Sequence, residues 1–166
     1  MQTDAQSSAW LIRADKIHYE DVPLDAPFSF GGYRVTKDEI IEFATQFDPQ
    51  PMHLDEEAAK LTLVGGLCAS GWHTCAVFMR IIFDGWLANS TSLGAPGIEE
   101  VRWTRPVRPD DVLSVHGRCT EKRLLKSRPG VGICRMKYDV LNQAGERVMA
   151  LENMQLMRTR GTAVPA

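Results

Sequence analysis

The stretch "SGWHTCAVFMRIIFDGWLA", Ser70 to Ala88, decides the fold. It has the length of a helix and is apolar nearly all round. Its polar exceptions are His73, Arg80 and Asp84, with Thr74 beside them. Offsets of seven and four place those three on one helical stripe, read as a polar seam facing solvent or a subunit, or as a set of ligand contacts. Arg80 and Asp84 stand at the spacing of a helical ion pair. A helix apolar on most sides is one that other structure wraps, and a single antiparallel sheet curled around it would do so.

The residues after this helix supply such a sheet. "GIEEVRWTRPV", "DVLSVHGRCTEKRLL", "GVGICRMKYDVLN" and "ERVMALENMQLMRT" alternate in part and are separated by Pro, Gly and Asn. "NQAG" between the last two reads as a hairpin turn. Upstream, "PFSFGGYRVT" reads as a strand pair or strand entry with Gly31 and Gly32 at a bend. Thr36 and Glu39 form a capping box for a helix whose apolar face is Ile40, Phe43, Ala44 and Phe47. Pro49 and Pro51 end that helix, leaving Asp48 at its end and "PQPMH" extended. "DEEAAKL" reads as a short helix capped by Asp55. Strands grouped apart from helices give an α+β fold with an antiparallel sheet around a long central helix, the hot dog arrangement. The expected domain runs from 27 to 160, after a loosely ordered arm over 1–26 and before a tail over 161–166. Sheets of this size complete their cores across a dimer, so a homodimer or larger homo-oligomer is expected.

At 166 residues one domain is the prior. A formal net charge of −2 calls for neither nucleic acid nor an anionic membrane as partner. No stretch has the length of a membrane span, and the N-terminus lacks the pattern of a secretory signal. Cys68, Cys75, Cys119 and Cys134 form no CxxC pair and no zinc spacing, so they read as buried free thiols in a cytoplasmic protein.

Two features invite chemistry. "FDPQPMHLD" sets Asp48 and His53 five residues apart around two prolines. A carboxylate and an imidazole held together can position one water and move its protons, and the prolines lower the entropic cost of holding them. The plainer reading is a capping aspartate and a turn histidine. In "LCASGWHT", Gly71 stands where the central helix starts. The first amides of a helix have no internal partner, and that end of the dipole is positive, so a backbone N–H there can stabilise an oxyanion. The plainer reading is Ser70 as a cap and Gly71 as a packing residue.

Together the two features resemble a family. "FATQFDPQPMHLDEEAAKLTLVGGLCASGW" is similar to the signature of the MaoC-like dehydratases, which include the (R)-specific enoyl-CoA hydratases. The acid and histidine of that signature fall on Asp48 and His53, and its glycine at the start of the central helix falls on Gly71. "VRWTRPVRPDDVLSV" resembles the family's strand leading into a Pro-x-x-x-Asp turn, and the likeness covers Phe28 to Arg158. The chain departs where the family usually has Gly-Asp-x-Asn-Pro, since the run here is Phe47, Asp48, Pro49, Gln50, Pro51 with Phe47 and Gln50 differing, and where Ser70 replaces a common histidine. These changes touch the substrate side more than the acid, base and amide.

The resemblance implies reversible syn hydration of a trans-2-enoyl-CoA to a (3R)-3-hydroxyacyl-CoA. Asp48, His53 and Gly71 would be catalytic, with Gln50, Ser70 and Trp72 binding the substrate. No metal or redox cofactor is implied, and coenzyme A enters only as part of the acyl-CoA thioester. The rival readings are a thioesterase on the same fold and a non-catalytic acyl-thioester-binding subunit. Arg102, Arg105 and Arg108, and Lys122, Arg123, Lys126 and Arg128, are basic clusters that would either meet the coenzyme phosphates or form solvated strand faces.

Overall fold

A computed structural model describes residues 9–161. The expected tail over 161–166 lies, beyond Gly161, outside the described residues, as does the arm before Ala9. In chain order the elements are β1 (Phe28–Arg34), α1 (Lys37–Phe47), α2 (Pro51–Leu54), α3 (Glu56–Lys60), α4 (Gly71–Gly85), β2 (Ile98–Trp103), β3 (Val112–Leu124), β4 (Val131–Leu141) and β5 (Arg147–Arg158). The strands form one sheet in the order β1-β3-β4-β5-β2, antiparallel throughout, with β1 and β2 at its edges. This is the α+β hot dog architecture. Among the described residues no helix is long and apolar enough to cross a membrane.

The sheet faces α4 because its strands alternate. On β3, Leu113, Val115 and Cys119 are buried while His116 and Arg118 are exposed. On β4, Met136, Tyr138 and Val140 point the same way, paired in register with β3 and β5. Against this face α4 buries Val77, Phe78, Ile81 and Ile82. The Phe78 and Tyr138 rings meet edge to face at 5.1 Å. Each such side chain removed from water contributes roughly 1.5–3 kcal/mol, so this contact holds α4 and the sheet together.

The helix is not covered all round. Trp72, Ala76, Met79 and Phe83 recur at helical spacing and are exposed, Trp72 at 61% and Phe83 at 49%. The sheet reaches one side only. Nor do His73, Arg80 and Asp84 form one seam. Arg80 and Asp84 make the expected exposed pair at 2.8 Å, but α1 packs over the first turn and buries His73 against Phe43, rings stacked at 4.8 Å.

The remaining differences are local. Phe28–Arg34 is one strand with a register slip between Gly31 and Tyr33, not a strand pair. Pro51–Leu54 is a single helical turn, not an extended run. Proline at the first helical position lacks only an N–H that would have no partner there, and its fixed φ suits the helix. The arm from Trp10 onward is integrated. Ile17 and Val22 are buried, and Ile17 hydrogen-bonds Asn89 and Thr91 at 2.9 Å each. Arg13 and Arg160 both pair with Asp21, at 2.7 and 2.6 Å, tying the arm to the end of β5. The caps form as expected: Thr36 accepts from the Glu39 N–H, and Asp55 from the Ala58 N–H at 2.7 Å. The Asn142–Gly145 turn closes with an N–H···O bond of 2.9 Å.

Candidate functional site

Helix α1 stops at Asp48, whose N–H still bonds the Ala44 carbonyl at 3.0 Å. Pro49 then turns the chain, and α2 lifts His53 back towards the acid. The His53 Nε2 lies 3.5 Å from Asp48 Oδ2. The imidazole is buried, and its Nδ1 sits 2.8 Å from the Cys68 carbonyl oxygen. A carbonyl only accepts, so Nδ1 carries a proton there, and in the neutral ring the Nε2 lone pair faces Asp48. The single turn of α2 is therefore what aims the His53 ring.

Asp48 is held from two further sides. Ser70 Oγ donates to Oδ2 at 2.6 Å, and Gln50 Nε2 donates to Oδ1 at 2.7 Å. The Ser70 bond, then the Gln50 bond, hold the Asp48 carboxyl below its ordinary value of 3.8, with the His53 charge adding and partial burial opposing. Ser70 is fully buried and also caps α4, accepting from the Trp72 N–H at 3.2 Å. One hydroxyl thus joins the acid to the start of the central helix.

Gly71 is the first residue of α4, so its N–H has no acceptor within the helix. A Cβ on Gly71 would lie 2.5 Å from the Trp103 ring, which leaves room for glycine alone. Trp103 Nε1 donates to the Gly71 carbonyl at 2.9 Å and meets Trp72 edge to face at 5.6 Å.

Asp48, Gln50, His53, Gly71 and Trp72 line one cavity of about 500 Å³, with Trp103 on its wall. Of the residues read as site candidates, Ser70 alone acts from behind the wall. The structure places Gln50 and Ser70 on the Asp48 carboxylate. Sequence reasoning missed the Cys68 carbonyl, because a backbone acceptor leaves no residue-type signal. Among the described residues no group of three His, Cys, Asp or Glu side chains is gathered to hold a metal. The expected free thiols are present, with Cys68, Cys119 and Cys134 buried and Cys75 half-buried.

The depressed Asp48 pKa has a signed consequence. A carboxyl more acidic folded than unfolded stabilises the fold above the unfolded value, and that contribution is lost as pH falls through the folded one. Ser70→Ala removes the largest cause, so the Asp48 carboxyl titrates closer to 3.8 in that variant. Carboxyl-carbon NMR titration of both proteins checks this, and an unchanged Asp48 midpoint would contradict it.

Relatives carry the same fold. The crystal structure of a MaoC-like dehydratase from Rhodospirillum rubrum matches at TM-score 0.82 and 39% identity, over 87% of this chain and 99% of the other. The unliganded R-hydratase PhaJ1 from Pseudomonas aeruginosa shares the fold at TM-score 0.68 and 24% identity, over 91% and 95% of the two chains. An uncharacterised Bacillus subtilis protein, YdeM, is 29% identical over 131 residues, 79% of this chain and 92% of its own length. The family model of the MaoC like domain matches residues 21–138, and the chain belongs to that family.

Proposed function

We propose that this protein is an acyl-CoA hydro-lyase that adds water reversibly, and on one face, to a trans-2-enoyl thioester. One observation carries the reading: His53 Nε2 and Asp48 Oδ2 stand 3.5 Å apart in a cavity that Gly71 also lines. A water on the cavity side of the pair, within reach of both atoms, can hydrogen-bond both. His53 takes its proton while the oxygen attacks Cβ of the enoyl group. The π electrons move through Cα to the thioester oxygen, and the Gly71 N–H meets the charge that develops there. The imidazolium then returns a proton to Cα on the same face, with Asp48, ionised, orienting the water and steadying the charged ring. The product is a (3R)-3-hydroxyacyl-CoA. Preorganised amides of this kind lower a barrier by roughly 3 kcal/mol. The substrate class ties the enzyme to fatty acyl metabolism.

Absorbance of the enoyl thioester in crotonyl-CoA tests the reading. Wild type removes it, and Asp48→Asn and His53→Ala each lose about 10²–10⁴-fold, the range of general acid–base catalysis. Full activity in either variant sinks the dyad. Release of coenzyme thiol by wild type without loss of the double bond makes the protein a thioesterase, and no reaction of either kind makes it a binding subunit.

We also propose that two copies pair. The exposed Trp72, Met79 and Phe83 form an apolar stripe on α4, and β2 offers an unpaired strand edge. A second copy covers both. Sedimentation velocity is expected to find a dimer that Met79→Glu with Phe83→Glu converts to monomer; a wild-type monomer contradicts the pairing.

A further inference from the structure

Arg108 belongs to one of the basic clusters that the sequence offers to coenzyme phosphates, yet its guanidinium is already engaged. Nη1 donates to the Gly66 carbonyl at 2.6 Å and the Leu67 carbonyl at 3.1 Å, and Nη2 donates to the Val64 carbonyl. Three carbonyls of one short loop converge on one side chain. They can do so because Gly65 and Gly66 take positive φ, 67° and 155°, after a turn closed by the Gly65 N–H on the Thr62 carbonyl. Among the described residues no carboxylate pairs with Arg108 across a salt bridge, so its charge is directed at the loop.

The backbone around Arg108 is itself fixed. Its N–H donates to Asp111 Oδ2 at 2.7 Å, and the buried Asp111 accepts from Gln143 Nε2 at 3.0 Å. The neighbouring Val107 carbonyl takes the Ala69 N–H at 2.9 Å. The loop is therefore held just before Cys68 by the guanidinium and just after it by Val107. The Cys68 N–H bonds the Met52 carbonyl at 3.1 Å, which leaves the Cys68 carbonyl aimed at His53 Nδ1.

We propose that Arg108 is a positioning residue that acts through the Cys68 carbonyl to hold His53 in the Nδ1–H tautomer with Nε2 free to act as base. The inference rests on the hydratase reading for its effect on turnover, but not for its effect on the imidazole. A planar guanidinium presents several donors in a fixed fork, whereas a lysine ammonium offers a point charge on a flexible stem. Arg108→Lys therefore keeps the charge and loses the simultaneous grip on three carbonyls. With the loop slack, the Cys68 carbonyl no longer selects the tautomer, and the Nε2–H form, which has no lone pair towards Asp48, becomes populated. A second consequence is that Arg108 does not bind the coenzyme phosphates.

Two measurements test this on the full-length protein. In the crotonyl-CoA assay, Arg108→Lys and Arg108→Ala lose kcat by about 100-fold, the scale of an ångström's misplacement, while KM stays near wild type. Millimolar guanidinium restores part of the loss in Arg108→Ala, and ammonium does not. In ¹⁵N-histidine spectra His53 is an Nδ1–H tautomer in wild type and a mixture in Arg108→Lys. A lost kcat with an unchanged tautomer and no rescue overturns the proposal, as does a raised KM at constant kcat, which marks phosphate binding. If wild type does not turn over but the tautomer responds as stated, the clamp stands and the hydratase reading fails. If wild type turns over and the variants match it, the clamp fails alone.

Discussion

Helix α4 is too apolar to stand in water, and the structure follows from covering it. The sheet curls over the face of Val77, Phe78, Ile81 and Ile82. That packing buries the start of the helix beside the end of α1, where Ser70 must find partners because it is fully buried. It finds the Trp72 N–H and the Asp48 carboxylate. The same contact that satisfies a buried hydroxyl brings the acid to the first amide of the central helix. Core packing and site geometry are thus one constraint, and a change that tilts α4 disturbs both.

The site divides its tasks among groups of different kinds. Neutral donors keep Asp48 ionised, a carbonyl orients His53, and a backbone N–H waits at the Gly71 position. Trp103 closes over Gly71 so closely that no side chain fits there. In the proposed reaction few of these groups would have to move, which is what preorganisation means in structural terms. The basic residues are mostly occupied elsewhere. Arg102 pairs with Glu100, Arg105 with Glu146, and Lys122 bonds the Val22 carbonyl beneath Tyr19.

Much of the fold was legible because it rests on periodicity and local chemistry. The Thr36–Glu39 box, the Asp55 cap, the apolar run of α4 and the alternation of β3 to β5 depend on residues near in sequence. What escaped depends on residues far apart. The burial of His73 needs α1 laid across α4, and the integration of Ile17 needs the segment around Asn89. The turn at Pro51 escapes a local reading because proline ends one helix and, at a first helical position, also starts the next. In the site, the side chains of Asp48 and His53 and the glycine at the helix start were legible as candidates from residue type and spacing, and they line one cavity. The link from Ser70 to Asp48 spans 22 residues, and that from Arg108 to Val64 spans 44, so neither leaves a local pattern.

In the proposed reaction one solvent-derived oxygen is shared by His53 and Asp48 while the thioester oxygen meets the Gly71 amide. A crystal structure with bound (3R)-3-hydroxybutyryl-CoA reads all three contacts at once. The 3-hydroxyl is expected within about 2.6–3.2 Å of both His53 Nε2 and the Asp48 carboxylate, with the thioester oxygen accepting from the Gly71 N–H. A ligand whose hydroxyl meets neither group, or whose thioester oxygen faces away from α4, would contradict it.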